Sequence, residues 1–174
     1  MFPEAPMLWL VPALLSTTFA LAPGQHSSLE APDRRVRSTD RYIISLLQRG
    51  MDRSKTFAEL VTALNTTDVI VYIERAPTLP STLAGRLLLL PIAGQQRYLR
   101  IQVRADLSPV ELIALMGHEL RHALEIAEHP AVRDGPAMLT LYQRIGHPST
   151  SALHTFDTQA AQTTGRRVRI EMVG

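Results

Sequence analysis

The stretch from Ser108 to Pro130, SPVELIALMGHELRHALEIAEHP, constrains this chain more than any other. Serine at an N-cap, proline at the first helical position and Glu111 at the third satisfy the open N–H groups of a helix start. The run continues until Pro130, which disfavours helix at the residue before it, so the helix ends near His129. About 20 residues at 1.5 Å each make a rod roughly 30 Å long, the span of a small domain. Within it, G-H-E-L-R-H places His118 and His122 four residues apart, with Glu119 directly after the first.

Residues four apart on a helix share one face, about 6 Å from each other, so both imidazoles can converge on one ion. Glu119 is rotated about 100° from His118 and flanks such an ion without ligating it. A carboxylate there can take a proton from an ion-activated water, so H-E-x-x-H spacing supplies two ligands and a general base. The chain has no cysteine. Disulfides and thiolate sites are therefore excluded, and any metal must be held by His, Asp or Glu.

A third ligand must come from elsewhere. Glu125 and His129 share the histidine face, but Glu125 lies about 10 Å along the axis from His118. It is better placed to orient an imidazole than to ligate. Glu128 follows His122 by six residues, yet no glycine breaks the helix between them. The segment HTFDTQAAQ offers Asp157, placed by the reading in the first turn of a last helix, with His154 as a second candidate and Asp134 as a third. Acidic residues also favour helix N-termini through the dipole, which gives Asp157 a purely structural alternative.

The rest of the chain alternates between the two periodicities. Residues 40–49 read as a helix ended by Gly50. SKTFAELVTALN reads as a second, capped by Thr56 with Glu59 or by Ser54. DVIVYIER, GRLLLLPIA and RYLRIQVRA read as strands, with Pro91 marking an edge or bulge and Gly94-Gln95-Gln96 a turn. In the third, Leu99, Ile101 and Val103 alternate with Arg100, Gln102 and Arg104, giving one buried and one solvated face. A short helix fits Pro136 to Ile145, closed by Gly146, and a last one runs from about Thr155 to Glu171, weakened by Gly165. The expected fold is α+β: a small antiparallel three-stranded sheet with helices packed on it.

A length of 174 residues suggests one domain, or one domain plus a leader. Residues 1–22 read as a signal peptide or apolar segment, 23–39 as a linker, and 40–174 as a single domain. The apolar stretch Met7–Ala22 covers 16 residues, short of the about 20 that span a bilayer. It fits a secretory leader cut after Ala20 or Ala22, although Glu4 and the lack of Lys or Arg before it do not. Export to a periplasmic or extracellular space is expected, with an N-terminal membrane anchor as the alternative. Lys55 is the sole lysine among 18 basic residues, and the net charge is +2. Aromatics are 5% and none interleaves with Arg166, Arg167 and Arg169. No nucleic-acid partner is expected, because stacking platforms are missing.

GHELRHALEIAE resembles the active-site helix of the zincin metallopeptidases. Asp157-Thr158-Gln159-Ala160 is similar to the E-x-x-A of their gluzincin-type members, with Asp in place of Glu. The likeness covers Asp68 to Arg169 in outline, and only Gly117–Ala123 is specific. The chain also resembles short exported bacterial proteins of unknown function that bear the same helix. The resemblance implies a zinc-dependent peptidase, with His118, His122 and Asp157 as ligands and Glu119 as general base. A donor for the tetrahedral oxyanion would come from Tyr142, His147 or His154. An edge strand, 97–105, would bind an extended peptide substrate by strand addition. The alternative is a non-catalytic zincin-like domain that binds metal or a partner.

Overall fold

The computed structural model describes residues 34–91, 94–148 and 156–174. The leader 1–22, the linker up to residue 33 and His154 lie outside the described residues. The stretch read as linker nevertheless contributes a strand at its end: β1, Val36–Arg37. Two residues are too few to show a period, but Val36 is buried and pairs with Val71. Two helices follow, α1 (Arg41–Arg53) and α2 (Lys55–Asn65). Gly50 does not end α1, as the sequence suggested, because its use is tertiary. A Cβ there would stand 2.9 Å from the Phe57 ring and 3.1 Å from Ile113, so glycine lets the helix approach both. Ser54, not Thr56, caps α2 by accepting from the Phe57 N–H.

Three strands come next, β2 (Val69–Arg75), β3 (Gly85–Leu89) and β4 (Arg97–Val103). Gly94 turns the chain into β4 with φ +62°, a left-handed conformation that favours glycine. The sheet is not the expected antiparallel trio. Its order is β1-β2-β4-β3, with β1–β2 and β2–β4 parallel and only β3–β4 antiparallel. Side-chain alternation gives each strand's faces but not its direction or neighbours. Here β4 sits between β2 and β3, so residues 97–105 do not form an edge. Among the described residues the edges are β1 and β3, the latter as Pro91 hinted. Leu99, Ile101 and Val103 pack with Val69, Val71 and Ile73 in the core. On the open face, Arg86 bonds Gln102, and Gln102 bonds Glu74.

The long helix is α3, Pro109–Ala127, with the capping box of Ser108 and Glu111 in place. Its far end is held by an unexpected residue. Arg97 is in register with the buried side chains of β4 and is itself fully buried. Its guanidinium donates to both carboxylate oxygens of Asp68, at 2.8 and 2.7 Å. It also donates to the carbonyls of Ile126, Ala127, His129 and Val132, at 2.8–3.2 Å. Helix C-terminal carbonyls lack intrahelical donors and carry partial negative charge, so a cation there stabilises the end.

The remaining elements are α4 (Gly135–Ile145), β5 (His147–Pro148), β6 (Phe156–Asp157) and α5 (Gln159–Val173). β5 and β6 form a separate antiparallel pair. Helix α5 packs along α3, and two glycines set how closely. A Cβ at Gly117 would meet Val168 at 2.9 Å, and one at Gly165 would meet His118 at 3.1 Å. At the other end of α5, Glu171 accepts from Ser54 Oγ, Thr56 N and Thr56 Oγ1 at 2.6–3.0 Å, tying α5 to the start of α2. No helix among the described residues is long and apolar enough to cross a membrane.

Candidate metal centre

On α3, His118 and His122 present their rings edge-on with centroids 4.9 Å apart. Asp157 reaches them from the other side. It lies in β6, one residue before the Thr158 N-cap, and not in the first turn of α5. This placement makes up for the short aspartate side chain. Asp157 Oδ1 is 3.5 Å from Nε2 of His118 and 3.5 Å from Nε2 of His122. The ligand atoms of these three residues all lie within 4.8 Å of one another. Ligands at about 2.1 Å from a tetrahedral ion lie about 3.4 Å apart, so these two separations suit a shared zinc-type ion. Two imidazoles and one carboxylate also leave a fourth position open, as catalytic sites require.

The residues behind the trio fix its orientation. His122 Nδ1 donates to Glu125 Oε2 at 2.8 Å, which turns Nε2 toward Asp157. Glu125 is buried, and its other oxygen accepts from Thr158 Oγ1 at 2.7 Å. The Thr158 hydroxyl in turn accepts from Ala161 N, capping α5. Asp157 is held by its neighbours: Oδ1 accepts from Thr158 N and Oδ2 from Gln162 Nε2. The Ala161 carbonyl faces the His118 ring. Glu125 therefore orients a histidine, the role its distance along the helix suggested. Thr158 and Gln162 escaped the sequence reading. An N-cap threonine is visible in sequence, but the partner its hydroxyl finds on α3 is not.

Electrostatics follow from this crowding. Burial pulls the His122 pKa down, but Asp157 and Glu125 on its two nitrogens overcome that and raise it to about 9. His118 is pulled below its ordinary value by burial and by His122 beside it. Burial works against the Asp157 carboxylate, yet His122, Gln162 and His118 hold its pKa well below the usual range. A pocket that favours positive charge on an imidazole between two carboxylates offers the same field to a metal cation.

Glu119 is different. It is buried and has no hydrogen-bond partner among the described residues, and burial raises its pKa to about 7. It borders a cleft of about 770 Å³ that also exposes His118, His122 and Asp157. Gly85 of β3 forms the wall beside it; a Cβ there would stand 3.0 Å from Glu119 Oε1.

Several other candidates do not reach the centre. Glu128 pairs with Arg121 at 3.3 Å on the surface. Asp134 caps α4 through the Ala137 N–H. His129 Nδ1 meets the Glu125 carbonyl at 2.7 Å, a local contact at the helix end. Tyr142 lines the cleft, but its hydroxyl donates to the His122 carbonyl at 3.2 Å. That bond engages its proton, so Tyr142 braces α3 and is not free as an oxyanion donor. His147 is exposed on β5, where it pairs across from Asp157, and its ring meets Gln162 at 3.2 Å. No protein-family model, no curated protein and no solved structure matches this chain, so its chemistry is argued from these residues alone.

Proposed function

We propose that the protein is a zinc-dependent hydrolase that cleaves peptide bonds. One observation carries this reading: three ligand side chains converge on the floor of a cleft beside a buried, partnerless carboxylate. His118, His122 and Asp157 would hold the ion. Zinc bound there would supply Lewis acidity and a water of lowered pKa. Glu119, with a pKa near neutrality, is suited to take the proton of the attacking water on its carboxylate and pass it to the leaving nitrogen. Glu125, braced by Thr158, keeps the His122 ring turned toward the centre. The outer edge of β3, unpaired among the described residues, borders the cleft at Leu83–Leu87 and can pair with an extended chain, the role first given to residues 97–105.

Metal analysis and a peptide-library digest test this together. The purified chain should hold about one zinc, and Glu119→Gln should keep it while losing cleavage by about 10²–10⁴-fold. Zinc retained with no cleavage by either form overturns the hydrolase and leaves a metal-binding or interaction domain. Unchanged metal content in His122→Ala overturns the site.

A further inference from the structure

Helix α5 carries three arginines, of which Arg166 and Arg169 line the cleft, and their partners differ. Arg167 pairs with Glu171 at 3.7 Å, and Arg169 with Glu111 at 3.3 Å. Arg166 donates only to the Thr163 hydroxyl, at 3.3 Å, and meets no carboxylate among the described residues. It nevertheless lines the cleft that exposes the histidines. Its position along the cleft is fixed by its neighbours. Gly165 lies against His118, and Gln162, about 6 Å back along the helix, is bonded to Asp157.

Two of the three carboxylates in the cleft are committed: Asp157 faces the imidazoles, and Glu111 serves Arg169 and the Ser108 cap, while Glu119 is buried and pairs with no arginine among the described residues. Arg86 borders the cleft from β3, but its guanidinium turns to Gln102 on the open face of the sheet. Arg166 is thus the guanidinium on the α5 wall of the cleft that meets no anionic partner among the described residues; Arg86 meets none either, but its Nε is engaged by the Gln102 amide oxygen. A guanidinium fork matches a carboxylate with two parallel hydrogen bonds.

We propose that Arg166 recognises a carboxylate of the substrate and makes the cleft selective for acidic peptides. An extended chain advances about 3.3 Å per residue, so the carboxylate falls within about two residues of the bond to be cut. It belongs either to an Asp or Glu side chain or to the substrate's own C-terminus. This inference rests on the peptide-cleft reading above, and its test uses binding so that the two can fail separately.

The probes are fluorescently labelled alanine-based hexapeptides carrying Glu, Gln or Lys at one position, each with a free or an amidated C-terminus. They are titrated by anisotropy into the zinc-loaded chain carrying Glu119→Gln, which blocks turnover. The Glu peptide, or the free C-terminus, should bind about tenfold tighter than its neutral counterpart. The preference should shrink as salt rises. It should vanish with Arg166→Gln and survive Arg167→Gln, an exposed neighbour off the cleft. The amidated arm tells which carboxylate is read. Equal affinities, a preference that persists in Arg166→Gln, or no binding of any peptide overturns the inference. Arg166-dependent binding of acidic peptides that the wild-type chain never cuts removes the peptidase reading and leaves this one standing.

Discussion

Replacing Arg97 with methionine should cost more stability than any surface change in this chain. Methionine keeps the apolar stem and removes the guanidinium. Six hydrogen bonds then disappear, two to Asp68 and four to the carbonyls of Ile126, Ala127, His129 and Val132. Those carbonyls surround a fully buried side chain, so water does not readily replace it. The Asp68 side chain is 38% exposed and stays hydrated, so the cost falls on the buried carbonyls left without donors; several such groups at about 1–3 kcal/mol each make roughly 3–5 kcal/mol, a large share of the roughly 5–15 kcal/mol that holds a domain folded. At about 2–4 °C per kcal/mol for a chain of this size, Tm should fall by about 6–20 °C. Urea melts of both proteins measure the difference directly.

A pH series adds an independent check. Arg97 beside it holds the Asp68 carboxyl below its ordinary value of 3.8, against the opposing effect of burial. A depressed carboxylate adds stability that is complete above the ordinary value and is lost as pH falls through the folded one. Wild type should therefore lose stability as pH drops below the ordinary carboxylate range, and Arg97→Met should lose less over the same interval. A loss under about 1 kcal/mol in the melts, or parallel pH profiles, would refute the clamp.

Other substitutions test the centre and its supports. Glu125→Ala should weaken zinc binding about 10–100-fold in a chelator competition; unchanged affinity would mean that the His122 ring needs no brace. Gly165→Ala gains about 1 kcal/mol of helix propensity, but its Cβ enters at 3.1 Å from His118 and 3.3 Å from the Ala114 carbonyl. Zinc affinity should fall there, whereas Gly135→Ala, with nothing within 4 Å, should leave it unchanged. Glu171→Gln should lower Tm and flatten the acid limb of the pH profile. The Ser54 and Thr56 bonds hold this carboxyl below its ordinary 4.5 despite burial, so its contribution disappears as pH falls through the folded value. Stripping zinc with a chelator should lower Tm by an amount that grows with the free zinc initially present, because a ligand of the folded state stabilises by mass action.

The parts of the site that lie on one helix were legible in the sequence, because spacing alone fixes their geometry. His118, Glu119 and His122 needed only the rise and turn of α3, and the capping box marked where it starts. Asp157 was legible as a residue but not as a position, since a two-residue strand leaves no periodic trace. Gly50 was misread, and Gly165 was read only in part, for one shared reason. Local rules treat glycine as a helix breaker, while here its missing side chain lets a neighbour approach. The alternation that buries Leu99 and Ile101 also turns Arg97 inward, but the charge of arginine argued for the surface. Only the carbonyls at the end of α3 and Asp68 explain why it stays inside. Strand direction was illegible because parallel and antiparallel neighbours bury the same face.

The bonds from Glu171 to Ser54 and Thr56 join positions 117 and 115 residues apart. Contacts of such separation close late, because a long loop must lose its freedom before it gains them. The consequence concerns timing during synthesis. Helix α3 leaves the ribosome with two histidines and Glu119 in place, but Asp157, Gln162 and the Ala161 carbonyl follow about 35–45 residues later. At about 5–20 residues per second, that is an interval of a few seconds in which the growing chain has half a site and no third ligand. The docking of α5 along α3 thus both finishes the core and brings Asp157 to the two histidines, so the three candidate ligands meet only in the completed fold.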